Sequence, residues 1–141
     1  RSRVFNCALV PFDYTDEFIR LTYGADLSFV EGAYEGERRD ERERFIRRYR
    51  APDYFVVPAR TLTSVLDEAG APAVDFLSLD VEGFELGVLR GLDFDRHEPA
   101  AMLIECQTAE ARDAVNEYLA RRGYALEAKL TRHDYLFTRG F

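Results

Sequence analysis

The apolar positions of the chain fall into two regimes that meet near residue 55. Beyond it, short apolar runs alternate with helical repeats, the pattern of a parallel sheet covered by crossover helices. Phe55-Val56-Val57 reads as a short strand ended by Pro58. Thr63 is placed to cap a helix over about 64–69, with Val65, Leu66 and Ala69 on one face and Gly70 as its stop. Val74 to Asp80 is β-rich, and after Gly83 a short helix over about 84–90 turns Phe84, Val88 and Leu89 toward the sheet before Gly91 ends it. Ala101 to Cys106 is apolar almost throughout, as a central strand buried on both faces would be. Ala111, Ala114, Val115, Tyr118 and Leu119 recur at helical spacing between a Thr108 cap and Gly123. Tyr124, Leu126, Ala128 and Leu130 alternate with more polar neighbours, and Tyr135-Leu136-Phe137 can return beside them as an antiparallel hairpin at the sheet edge.

Before residue 55 the pattern is irregular. Phe18 to Thr22 and Leu27 to Val30 are short strands joined through Gly24, which suggests a hairpin. Gly36 to Arg50 is densely charged, with Asp40 and Arg44, and Glu43 and Arg47, spaced to support a helical turn. It reads as a solvated flap or short helix, with a basic lid facing the substrate as the alternative. The fold class expected is therefore α/β, a mostly parallel sheet with a terminal antiparallel hairpin. Its regular part spans about 55–141, and an irregular substrate-side region spans about 10–55.

Composition narrows the function. At 141 residues and 47% hydrophobic, the chain can fill one core without staples. Nineteen basic against 26 acidic residues give a net charge of −7, which argues against nucleic acid as partner. No apolar run approaches the roughly 18 residues that cross a bilayer, so no membrane role is expected. Cys7 and Cys106 sit in apolar runs, as reduced, buried thiols of a cytoplasmic protein do. The missing initiating Met and the strand-like opening from Val4 to Leu9 suggest that the sequence starts inside a domain.

In an open α/β sheet, ligands bind beyond the carboxyl ends of the strands. Asp80 ends one such run and Glu82 follows two positions later, on the same side if the chain stays extended. Glu105 ends the next strand. Three carboxylates at one cleft can bind a divalent cation, hold a cationic ligand, or provide a base whose pKa is raised by its neighbours. The plainer alternative for Asp80 and Glu82 is a cap and dipole partner for the helix that follows. His97 lies in a charged loop away from the cleft and reads as structural or exposed, while His133 in the hairpin turn has no sequence-visible partner. There is no zinc spacing, no G-x-G-x-x-G and no P-loop; Gly32 and Gly36, with Ala33, Tyr34 and Glu35 between them, lack the context of a phosphate loop.

Phe76-Leu77-Ser78-Leu79-Asp80-Val81-Glu82-Gly83-Phe84-Glu85-Leu86, followed by Leu89-Arg90-Gly91, resembles the signature of the FkbM methyltransferases. Asn6-Cys7-Ala8-Leu9, Thr61 to Leu66 and Ala101 to Glu105 resemble further pieces of that family in its order, from Val4 onward. Ser78 and Thr63 depart from it, standing where the family usually has Lys and Asp. The resemblance implies a single partial Rossmann-like methyltransferase domain over residues 1–141, using S-adenosylmethionine to methylate a hydroxyl of a sugar, polyketide or other small metabolite. It places Asp80 near the methionine end of the cofactor and the acceptor, and Asn6 and Cys7 toward the adenine, with Asp80, Glu82 and Glu105 as candidate catalytic carboxylates. It also implies that the family's glycine-rich cofactor loop precedes Val4, so that this piece alone binds the cofactor poorly. The alternatives are a noncatalytic relic or scaffold and a metal-dependent hydrolase built on the same carboxylates. The pattern specifies neither the acceptor nor an oligomeric state.

Overall fold

Two four-stranded sheets organise the computed structural model, which describes residues 2–24, 28–33, 36–48, 53–71 and 73–140. The expectations that touch Leu27, Tyr34, Glu35, Tyr49 and Arg50 lie partly outside the described residues. The first sheet holds β1 (Ala8–Leu9), β2 (Phe18–Tyr23), β3 (Phe29–Val30) and β4 (Asp53–Arg60) in the order β1-β4-β2-β3. β2 and β3 pair antiparallel as the expected hairpin. The charged segment forms α1 (Gly36–Arg47), with Glu43 taking ion pairs from Arg39 and Arg47 one turn either side.

The second sheet holds β5 (Phe76–Leu79), β6 (Ala101–Glu105), β7 (Tyr124–Lys129) and β8 (Asp134–Arg139) in the order β5-β6-β8-β7. Between the strands lie α3 (Glu85–Leu89) and α4 (Ala109–Ala120), and α2 (Leu62–Ala69) precedes β5. The expectation of a mostly parallel sheet is corrected. Among the described residues only β1 with β4 and β5 with β6 run parallel. The tight turn after β7 sends β8 back between β7 and β6, antiparallel to both, so of the hairpin's two strands β8 is interior and β7 lies at the sheet edge. A mixed α/β fold with alternating strands and helices results.

Two local expectations are also corrected. β4 runs through Pro58 instead of ending there. The amide of Ala59 bonds Glu17 on the β2 side, so alternation turns Pro58 nitrogen to the other side, where pairing with β1 begins only at Ala59 and no donor is required. The cap of α2 is Thr61, whose side chain accepts from Ser64 N at 3.1 Å, with Gly70 in the left-handed conformation at the far end. Thr63 is buried and faces inward, donating to the Gly91 carbonyl at 2.9 Å and accepting from Asp93 N at 2.7 Å. Thr108 caps α4 as expected, accepting from Ala111 N at 3.1 Å.

The main core lies under the second sheet, where Val88 and Leu89 of α3 and Val115 and Leu119 of α4 pack with Leu79, Met102, Ile104 and Phe137. A smaller cluster of Ala8, Val10 and Ile19 lies at the first. They meet at Gly91, where a Cβ would come within 2.2 Å of the Val10 carbonyl oxygen, so the junction needs a residue without a side chain.

Candidate active site

The register Leu79↔Ile104 sets Asp80 and Glu105, the next residue along each strand, beside one another at the carboxyl ends of β5 and β6. The sequence expectation that these two acids meet is thus met by strand pairing. Asp80 is exposed at the rim, so it is not an acid held inside a buried strand.

After Asp80 the chain turns. Glu82 takes a left-handed backbone with φ 53°, and Gly83 follows with φ 93°, so the extended path from Asp80 to Glu82 that would have put both on one side by strand alternation is not what occurs. A left-handed residue with a side chain costs roughly 1–2 kcal/mol. The turn is gathered around Glu85, only 3% exposed, whose Oε1 accepts from Val81 N at 3.2 Å and Gly83 N at 2.9 Å. Burial pushes the Glu85 carboxyl up, and those backbone donors oppose the shift.

Glu82 points to two donors. Arg42 of α1 forms an ion pair with it, and Gln107 Nε2 donates to Glu82 Oε2 at 2.6 Å and reaches Glu105 Oε2 at 3.5 Å. The side chain of Arg42 is only 17% exposed, so α1 is not merely a solvated flap: one arginine of it closes onto the carboxylate cluster. Burial first, and then the neighbouring Asp80 carboxylate, raise the Glu105 carboxyl to about 7; Gln107 opposes this and Glu82 adds to it. A carboxyl with that pKa carries and releases a proton at neutral pH.

A cavity of about 410 Å³ opens beside these acids, lined by Cys7, Ala8 and Leu9 from β1 and the residue before it, Leu21, Ser28, Phe29 and Val30 from the hairpin, and Asp80, Val81, Glu82, Phe84 and Val88. It is apolar along its walls and acidic at one end. Gly87 leaves room for the Phe84 ring, since a Cβ there would come within 2.7 Å of it. Glu105 stands behind Asp80 and is not among the lining residues. Cys7 lines the cavity, whereas Asn6 is exposed and does not. Both cysteines are free; burial raises the Cys7 thiol, and it drives that of Cys106 up to about 12, leaving Cys106 unreactive.

The histidines are not brought here. His97 is buried with Nε2 3.0 Å from Asp67 Oδ1, holding the Asp67 carboxyl below its usual range and tying the loop before β6 to α2. His133 stays in the β7–β8 turn, where its carbonyl accepts from Cys106 N at 2.8 Å. Among the described residues no group of three or more His, Cys, Asp or Glu side chains is arranged to hold a metal ion.

Three site residues escaped the sequence reading. Glu85 lies two positions beyond the Asp-Val-Glu-Gly run and enters the sequence reading only as part of the FkbM-like signature, with no role of its own. Gln107, two positions beyond Glu105, was within reach of the same argument from strand ends. Arg42 carried no local signal, because forty residues of chain separate it from its partner Glu82.

No helix of the described residues is long and apolar enough to cross a membrane. No curated protein and no solved structure matches the chain significantly. A family model, the methyltransferase FkbM domain, matches residues 1–126, which takes in both walls of the cavity and all three clustered carboxylates. The chain therefore belongs to the FkbM family of methyltransferases.

Proposed function

We propose that the chain serves transfer of a methyl group from S-adenosylmethionine to a hydroxyl of a small metabolite such as a sugar or polyketide, with Asp80 and Glu105 as the proton-accepting pair. The observation that carries this reading is the meeting of those two acids beside an apolar cavity, with Glu105 raised to about 7. The residues suit the cofactor. A cavity of about 410 Å³ is within the usual range for small-molecule sites, roughly 300–1,000 Å³, its apolar walls fit a flat base, and its acidic end fits a cationic sulfur. Cys7, Ala8 and Leu9 would hold the adenine side and Asp80 the methionine side. When bound, the cofactor supplies an electrophilic methyl group carried on a positively charged sulfur.

The chain's own work is to position an acceptor hydroxyl and remove its proton. Holding the reacting groups in line supplies most of the acceleration. Glu82 is committed to Arg42 and Gln107, so it orients the rim without acting as base. Asp80, exposed at the rim, is the group within reach of an acceptor, and Glu105 behind it takes up or shares the proton. A cytoplasmic setting suits the two free thiols.

The test is amide-resolved NMR titration with millimolar S-adenosylhomocysteine, which registers weak binding as well as strong. Shifts are expected at Cys7, Leu9, Asp80 and Val81, weakened about tenfold in affinity by Asp80→Asn, a loss of roughly 1.4 kcal/mol. Shifts confined to other faces of the molecule would overturn the assignment of the cavity.

A further inference from the structure

We infer that Glu85 is the positioning residue of the carboxylate site: its buried side chain fixes the Val81-Glu82-Gly83 turn and thereby holds Asp80 and Glu82 against Glu105. This rests on the proton-sharing role proposed for Asp80 and Glu105, and it extends that role to a residue that touches neither cavity nor acceptor.

The argument begins with what α3 lacks. Phe84 at its N-cap makes no side-chain hydrogen bond, so the first turn is not closed in the usual way from the residue before it. Instead Glu85, the first residue inside the helix, bends back, and one oxygen gathers the amides of Val81 and Gly83 at 3.2 and 2.9 Å. Those amides flank Glu82, so both sides of its left-handed backbone are tied to one atom. Successive amides converging on an anion form a concave nest, here filled by the chain's own carboxylate.

The location makes this costly to lose. Glu85 is 3% exposed, and a buried carboxylate is retained only where donors answer it. Without its oxygen, two amides would be orphaned and Glu82 would be free to relax toward an extended backbone. That movement would swing Glu82 from Arg42 and Gln107 and, although β5–β6 pairing holds the backbone as far as Leu79, would turn Asp80 just beyond it away from Glu105. Burial acts most on Glu105, and the groups that follow are Asp80, Gln107 and Glu82. Position and charge can therefore be separated by substitution.

The experiment follows the side-chain carboxyl of Glu105 by carbon-detected NMR across pH in the unaltered chain, in Glu85→Gln and in Glu85→Ala. In the unaltered chain the midpoint is expected near 7. Glu85→Gln keeps an oxygen able to accept both amides and should leave that midpoint in place. Glu85→Ala should lower it from there as Asp80 and Glu82 move off, stopping short of the ordinary 4.5 because burial still acts on Glu105. A midpoint near 7 in both variants overturns the positioning role while leaving the acid pair standing. A midpoint near 4.5 in the unaltered chain overturns the acid pair itself. Should Glu85→Ala not fold, amide exchange in the unaltered chain decides: protection of Val81 and Gly83 by about a hundredfold or more over exposed amides supports the nest, and exchange as fast as in an open loop overturns it.

Discussion

In the second sheet, Met102 and Ile104 of β6 lie opposite Phe137 and Tyr135 of β8, and all four turn into one core closed by α3 and α4. In the first sheet, Tyr54, Phe55 and Val56 of β4 are exposed on both faces although the strand is equally apolar. What keeps β4 extended is its continuous antiparallel pairing with β2, from Phe18↔Pro58 to Tyr23↔Asp53. Side contacts add to it: Tyr23 meets Phe55 edge to face with ring centroids 5.5 Å apart, and the Arg20 guanidinium lies 3.9 Å from the centre of the Tyr54 ring. The comparison separates two sources of order. One strand is held by what it buries and the other by what it pairs with, and an apolar run in the sequence does not say which. The cavity draws on both, taking its acids from the second sheet and much of its apolar wall from the first.

The largest test of that difference is truncation of matched aromatics. Phe137 is wholly buried, and Phe137→Ala should remove about 3–5 kcal/mol of stability through lost burial and a residual cavity. Phe55→Ala, on a residue 49% exposed, should lose about 1 kcal/mol, chiefly its edge contact with Tyr23. Denaturant unfolding measures both, and equal losses would break the distinction. Next comes the junction between the two clusters. Gly91→Ala drives a Cβ against the Val10 carbonyl and should cost about 1–3 kcal/mol by overpacking, with loss of the close approach between the segments that follow β1 and α3. A neutral outcome would show that the two halves are not packed as tightly there as the geometry requires.

The same division governs what could be read from the sequence. Helices α2, α3 and α4 and strands β5, β6 and β8 were legible because each presents one periodic face to a shared core, and the ends of β5 and β6 then located Asp80 and Glu105. The antiparallel return of β8 on β7 was legible, but strand order was not: nothing in the local pattern of Asp134 to Arg139 shows that it slips between β6 and β7. The alternation through Tyr124, Leu126, Ala128 and Leu130 misled for a related reason, because a register shift between Leu126 and Ala128 breaks it and leaves Leu126 and Leu130 exposed. Arg42 reaches Glu82 only through the tertiary fold, and Glu85 looked like an ordinary helical acid because its partners are backbone amides, which a sequence does not distinguish.

A smaller effect sharpens the role of the second sheet. Glu105 is raised from 4.5 to about 7 in the folded chain, so between those values the native state holds a proton that the unfolded state has released. Its contribution to stability is full below about pH 4.5 and is lost as pH rises through about 7. Glu105→Gln cannot titrate and should flatten this part of the stability profile. Denaturant midpoints compared at about pH 5 and about pH 8 should lie closer together in the variant than in the unaltered chain. An undiminished difference would mean that another group carries the proton.

The smallest effect is expected at Val56, and it bears most directly on the first sheet. Val56 is 70% exposed and faces Arg20 across the β2–β4 ladder. If pairing alone orders this strand, Val56→Thr should change stability by no more than about 0.5 kcal/mol, because a second β-branched side chain preserves the extended backbone and little apolar area leaves the interior. Val56→Gly removes the branching and should cost about 1 kcal/mol, through backbone entropy and weakened strand preference, with no cavity left behind. The pair of substitutions thus distinguishes backbone order from burial at one position. A loss with threonine as large as with glycine would mean that Val56 is stabilised by apolar contact after all, and β4 would then belong with the buried strands of the second sheet.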